Sequence, residues 1–99
     1  MLLITGTVRI DPAKIAAARP AMAAMVAASN SEDGCETYAY SQDLLDPGLI
    51  HISECWRDRA ALKAHFESPH MAVWRAAIPG LGISDRNLRL YESDGGEPV

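Results

Sequence analysis

The sequence predicts an α+β domain in which a four-stranded antiparallel sheet carries its helices on one face. Four stretches rich in β-branched and aromatic residues predict strands, and segments that space apolar residues three or four positions apart predict helices. Two helical segments begin with a capping residue followed by proline, Asp11-Pro12 and Ser68-Pro69, which is typical of a helix start. A chain of 99 residues is enough for one such domain.

The first half of the chain predicts a strand, a helix and a second strand. Residues 2–10 are the β-rich run LLITGTVRI, and a helix follows over residues 12–30. The polar segment 30–34, which ends in glycine, stops that helix. Residues 35–44, which contain two tyrosines, predict the second strand.

The second half predicts a strand, an interrupted helix and a last strand. Residues 49–56 alternate in polarity, which is typical of a strand with one buried face. Asp58 can cap a helix over residues 58–67, and the helix restarts after the Ser-Pro break over residues 69–78. Residues 83–91 predict the fourth strand.

The element order is therefore β-α-β-β-α-β, which right-handed crossovers arrange as a ferredoxin-like sheet with both helical segments on one face. Residues 1–92 are expected to form this domain, and residues 93–99, with a Gly-Gly pair and a proline, a flexible tail. No residues remain to cover the second face of the sheet. We therefore expect a homodimer in which a second copy covers it.

Composition excludes several classes of protein. A net charge of −4, with no cluster among the nine Lys and Arg, argues against nucleic-acid binding. No apolar run approaches the ~18 residues of a membrane span, and the opening MLLITGTVRI lacks a signal-peptide pattern, so we expect a cytoplasmic protein. Cys35 and Cys55 form no metal-binding spacing and are expected to be free, reduced thiols.

The segment WRDRAALKAHFESPHMAVW, residues 56–74, is rich in histidine and aromatic residues. Helical spacing predicts that Leu62 and Phe66 form its core stripe, with His65 at the edge and His70 four residues before Trp74. Both histidines can simply be packed edge residues bonded to the backbone. A metal site is disfavoured, because five positions and a helix break separate them.

Two stretches, ECWRDRAALKAHFESPHMAVW and GCETYAY, resemble the antibiotic biosynthesis monooxygenase family. The resemblance spans residues 2–92 and is carried by a Glu-x-Trp strand end, a Leu-x-x-His helix and a Ser-Pro-His restart: Glu54, Trp56, Leu62, His65, Ser68, Pro69 and His70. It implies a dimeric α+β barrel in which each protomer keeps a pocket between its sheet and its helices.

The resemblance also limits the activity. The family includes cofactor-free oxygenases of quinols and aromatic polyketides, haem-degrading enzymes and an enzyme acting on a phosphorylated autoinducer. The resemblance implies that the haem degraders need an asparagine on the first strand and a histidine late in the second helix. The corresponding residues of this chain are Gly6 and Arg75. We therefore expect no haem and no other cofactor.

Cofactor-free oxygenation needs a base that removes a phenolic proton and a dry pocket that holds the anion beside O2. His65 is the expected base, and His70 is a second candidate that orients the substrate or caps the helix. Aromatic side chains are the candidates for substrate binding, although each can equally be a packing residue: Tyr38, Tyr40, Trp56, Phe66 and Trp74.

Glu54 shares a strand face with Trp56, so we expect a partly buried carboxylate with Arg9 or Arg89 as its partner. Three function classes remain open from the sequence. The first is a small cofactor-free monooxygenase acting on a quinol-like or polyketide aromatic. The second is a proton-transfer isomerase that uses the same pocket and His65, and the third is a non-catalytic dimer that binds a small ligand.

Overall fold

The computed structural model describes residues 1–99 and contains four strands and three α-helices. The elements in chain order are β1 (Leu2–Ile10), α1 (Ile15–Asn30), β2 (Cys35–Gln42), β3 (Leu49–Trp56), α2 (Arg59–Phe66), α3 (Pro69–Ala77) and β4 (Ile83–Glu92). Short 3-10 turns, Pro12–Lys14 and Ile78–Gly80, precede α1 and follow α3. Residues 93–99 form no helix or strand.

The sheet has the order β2-β3-β1-β4, and every neighbouring pair is antiparallel. This is the ferredoxin-like arrangement that the sequence predicts, with helix and strand boundaries shifted by at most a few residues. None of the helices is both long and apolar enough to cross a bilayer.

Side-chain caps set the helix starts. Asp58 accepts a hydrogen bond from the Ala61 amide at 2.8 Å, which satisfies one of the free amides at the start of α2. Ser68 accepts from the Met71 amide at 3.3 Å, and its hydroxyl donates to the His65 carbonyl at 2.6 Å. Ser68 therefore ends α2 and begins α3.

One face of the sheet packs against the helices. On β3 the inward residues alternate as predicted, and the core extends to matching positions on β1 and β2: Ile50, Ile52, Glu54, Trp56, Leu2, Ile4, Val8, Ile10 and Tyr38. The opposite face carries both polar and apolar side chains. Leu3 and Tyr91 are its exposed large apolar residues and pair directly across β1 and β4, and the polar Thr5, His51 and Ser53 lie further along the same face.

Helix α2 presents a different face from the predicted one. Leu62 and His65 are buried, with His65 only 1% exposed, whereas Phe66 is 41% exposed. Ala61 and Leu62 both face the interior, and the residue that lies on the same side of α2 one helical turn after this pair is His65 rather than Phe66. His65 is therefore an interior residue and not an edge residue.

Strand β4 approaches β1 very closely and then becomes irregular. A Cβ on Gly6 would lie 1.9 Å from the Asn87 carbonyl oxygen, so only glycine fits at this crossing. Beyond it the pairing register shifts between Thr7 and Arg9, and Asp85 adopts a left-handed φ of 51°. Bulges of this kind re-aim side chains, and here Ser84, Asp85 and Arg86 all line one cavity.

Candidate active site

A cavity of about 370 Å³ lies on the helix-covered face of the sheet and is bordered by β4, α2 and α3. Its lining is mainly apolar: Ile4, Val8, Met22, Ile52, Met71, Ile78, Ile83 and Leu88, with Tyr38, Tyr40, Phe66 and Trp74 as its aromatic members. The polar lining residues are Glu54, His65, Arg75, Ser84, Asp85 and Arg86. An apolar cavity with a few convergent polar groups is the usual form of a small-molecule site.

His65 is the central titratable group of this cavity. Its Nδ1 lies 2.6 Å from Oε2 of Glu32, to which it donates, and its ring stacks at a tilt on Trp56 with centroids 4.5 Å apart. No protein group bonds to Nε2, which leaves that nitrogen for a ligand in the cavity. Burial lowers the pKa of His65 and outweighs the raising effect of Glu32, so the imidazole is neutral at pH 7.

Glu32 is the functional residue that the sequence did not reveal. It lies in the turn between α1 and β2, in the polar segment read only as a helix stop. Its carboxylate is 16% exposed and reaches across to α2 and α3. The only available signal was indirect, since a buried histidine requires a partner and an acidic residue in a nearby turn can supply one.

His70 meets the same carboxylate. Its Nε2 lies 3.2 Å from Oε2 of Glu32, but the alignment is not that of a hydrogen bond, and this buried nitrogen has no other partner. The expectation that the helix break separates the two histidines is wrong, because one ligand atom from each of Glu32, His65 and His70 lies within 4.8 Å of the others. His70 does not line the cavity.

Tyr38 and Tyr40 lie on the same face of β2, and their hydroxyl oxygens are 2.9 Å apart. Burial raises the pKa of Tyr40 to about 12 and that of Tyr38 further still, so both phenols are neutral at pH 7. One hydroxyl donates to the other, and the second proton is free to bind an oxygen in the cavity.

The predicted partners of Glu54 are wrong. Arg9 pairs with Asp46 at 2.7 Å, and both Arg9 and Arg89 lie on the opposite face of the sheet, where strand alternation prevents them from reaching Glu54. Glu54 instead accepts a hydrogen bond from Nε1 of Trp56 at 3.0 Å. Burial raises the pKa of Glu54, and the Trp56 hydrogen bond and the nearby Arg86 oppose that rise only in part.

The aromatic candidates divide into two groups. Tyr38, Tyr40, Phe66 and Trp74 reach the cavity, as described above. Trp56 does not: it is completely buried, and it supports the site from behind by stacking on His65 and bonding to Glu54.

Of three other residues singled out from the sequence, one lines the cavity and two do not. Arg75, which occupies the position compared with the haem degraders, lines the cavity and donates to the Phe66 carbonyl at 2.7 Å. Cys35 and Cys55 are free thiols and do not line the cavity.

Curated relatives give a consistent comparison. Protein sll1783 of Synechocystis is 25% identical over 91 residues, which is 92% of this chain and 62% of that protein. "Probable quinol monooxygenase YgiN" of Escherichia coli is 30% identical over 69 residues, which is 62% of this chain and 65% of that protein. The chain thus matches less than two thirds of the length of these relatives.

Solved structures share the whole fold. A Deinococcus radiodurans protein named for the antibiotic biosynthesis monooxygenases superposes with a TM-score of 0.90 at 27% identity and covers 100% of this chain and 98% of that one. Rv0793 of Mycobacterium tuberculosis superposes with a TM-score of 0.78 at 25% identity and covers 99% and 98%. The family model described as "Antibiotic biosynthesis monooxygenase" matches residues 1–77, well over half of the sequence, and the chain therefore belongs to that family.

Proposed function

We propose that this chain is a cofactor-independent monooxygenase that oxidises a quinol-like or polyketide aromatic substrate with O2. One observation carries the proposal: the buried imidazole of His65 lines an apolar cavity while its other nitrogen is held by Glu32 at 2.6 Å. The cavity volume of about 370 Å³ suits a small aromatic molecule.

The first step is removal of a phenolic proton. Nε2 of His65 takes the proton from a substrate hydroxyl, because Nδ1 carries the hydrogen donated to Glu32. Glu32 fixes this tautomer and stabilises the imidazolium that forms. It acts as a positioning residue, in the way that a carboxylate orients the histidine of a catalytic triad.

The second step is reduction of O2 by the substrate anion. The apolar walls exclude water, so the anion remains electron-rich beside the oxygen, and the free hydroxyl of the Tyr38–Tyr40 pair donates to a substrate oxygen. For a hydroquinone the substrate supplies all four electrons. One oxygen atom then enters the product as a hydroxyquinone, and the other leaves as water.

A homodimer belongs to this proposal. The face of the sheet opposite the helices carries Leu3 and Tyr91 in exposed positions, and no element of the chain covers it. A second copy that packs sheet against sheet would cover this face and leave the cavity of each protomer on the outer, helical side.

Oxygen uptake over a panel of hydroquinones and anthrones tests the proposal. A substrate should consume one O2 per molecule and give a product that contains one atom from 18O2. Exchange of a substrate C–H with solvent in the absence of O2 would instead indicate a proton-transfer isomerase. Tight binding with neither reaction would indicate a ligand-binding dimer.

A further inference from the structure

We propose that Glu32, His65 and His70 form a binding site for a divalent transition-metal ion of the Zn²⁺ type. The carboxylate lies between the two imidazoles, 2.6 Å from Nδ1 of His65 and 3.2 Å from Nε2 of His70. Nε2 of His70 is buried and makes no hydrogen bond. A buried ring nitrogen that makes no hydrogen bond, 3.2 Å from a carboxylate shared with a second histidine, belongs to the donor set of a metal site.

The present distances permit metal binding after small movements of the three side chains. Zinc binds histidine nitrogen and carboxylate oxygen at about 2.0–2.2 Å, which places tetrahedral ligand atoms roughly 3.3 Å apart. The ligand atoms of the three residues now lie within 4.8 Å of one another, so the furthest pair must close by at most about 1.5 Å. Glu32 must retreat from His65 by about 0.7 Å, which its flexible, partly exposed side chain allows.

The donor set selects the class of ion. Two imidazoles and one carboxylate suit Zn²⁺, Co²⁺ and Fe²⁺, whereas Mg²⁺ and Ca²⁺ prefer oxygen ligands. The carboxylate of Glu32 also favours a cation at this place. Arg75 is the positive group close enough to affect His65, and it is already engaged with the Phe66 carbonyl at 2.7 Å.

Metal binding would change the role of His65. A metal ion on Nδ1 displaces the hydrogen that Glu32 now accepts, and the neutral imidazole then carries its one hydrogen on Nε2 instead. That nitrogen faces the ligand, so the metal-bound residue no longer removes a proton. This consequence, unlike the site itself, rests on the proposed function and predicts that Zn²⁺ inhibits oxygen uptake.

Metal titration of the full chain after treatment with a chelator tests the site. Calorimetry with Zn²⁺ and absorption with Co²⁺ should each report about one ion per chain, with the intense visible bands of tetrahedral Co²⁺, and Mg²⁺ should not bind. Glu32→Gln and His70→Asn should each weaken Zn²⁺ binding by at least about 10-fold. His51→Asn is the matched control, because His51 pairs with Asp43 at 2.8 Å without a third ligand and should leave the affinity unchanged.

Three results would overturn the site: no saturable Zn²⁺ binding, an affinity that neither Glu32→Gln nor His70→Asn reduces, or a loss of affinity in His51→Asn. If Glu32→Gln fails to fold, His70→Asn decides alone, because Nε2 of His70 makes no hydrogen bond for the fold to lose. Metal binding is measured without substrate. The metal-binding result can therefore be interpreted even if the oxygenase proposal fails. Oxygen uptake can likewise be interpreted if no metal binds.

Discussion

Nδ1 of His65 and Oε2 of Glu32 lie 2.6 Å apart although 33 residues separate them in the sequence. The contact ties the turn after α1 to the inward face of α2 and determines which nitrogen of His65 can meet a ligand. A carboxylate in this place gives the buried imidazole both a partner and a fixed tautomer. The chemistry proposed for the cavity depends on this pair.

Replacing His65 by asparagine should lower turnover of an accepted quinol by roughly 10²- to 10⁴-fold, the usual contribution of a positioned base. The asparagine amide can still donate to Glu32, so the fold should survive. Initial rates of oxygen uptake by chelator-treated protein measure the effect, and His51→Asn provides the control at an exposed histidine. A variant that is well folded and fully active would exclude His65 as the base.

Replacing Glu32 by alanine should destabilise the protein by about 1–3 kcal/mol, because it leaves the buried Nδ1 of His65 without an acceptor. Urea denaturation followed by circular dichroism measures the change. Glu67→Ala is the comparison, since it removes the carboxylate from the exposed pair with Lys63 and should have little effect. Equal losses in the two variants would contradict the special role of the buried pair.

Replacing Glu54 by glutamine should stabilise the protein more at pH 7 than at pH 4. Burial raises the folded-state pKa of Glu54 above its ordinary value, so the folded chain holds this proton more tightly than the unfolded chain. Stability from this group is therefore complete at low pH and is lost as the pH rises through the folded-state pKa. The amide of the variant does not titrate, and its oxygen can still accept from Trp56.

The difference in unfolding free energy between wild type and Glu54→Gln, measured by urea denaturation from pH 4 to pH 7, checks this sign. The amide contributes equally at every pH, so only the slope is informative. A difference that is constant over this range, or that shrinks towards pH 7, would contradict the assignment.

Sedimentation equilibrium should report twice the 10.7 kDa chain mass, because the open face of the sheet needs a cover. Leu3→Glu places a charge on that face and should shift the protein towards monomer, whereas Leu44→Glu, in an exposed loop, should not. A wild-type chain that is monomeric at micromolar concentration would refute the dimeric barrel.

The fold could be predicted because its signals are local. Each signal determines local structure within a few residues: strand alternation, the Ser68-Pro69 restart and the Asp58 cap. The order of the elements together with right-handed crossovers then favours a single sheet topology. His65 was identified through the family resemblance rather than through its burial. The spacing of α2 alone favoured Phe66 as the inward residue, because helical periodicity leaves the rotation of a two-turn helix undetermined.

Contacts distant in sequence could not be predicted. Glu32 gave no periodic or motif signal, since its role depends on how the turn after α1 meets two later helices. The predicted partner of Glu54 is wrong for a related reason. Matching of charges favours Arg9 or Arg89, but strand alternation places both on the opposite face of the sheet. The actual partner is a donor two residues along the same strand, Nε1 of Trp56.

The irregular stretch of β4 affects which substitutions this fold can accept. Ser84, Asp85 and Arg86 shape one wall of the cavity, yet all three are solvent-exposed and none belongs to the core. Substitutions in such a segment alter what the cavity accepts at little cost in stability, whereas those beside His65 disturb packed interior. Selection, natural or in the laboratory, can therefore diversify ligand preference along this edge while the proposed base His65 and its partner Glu32 stay intact.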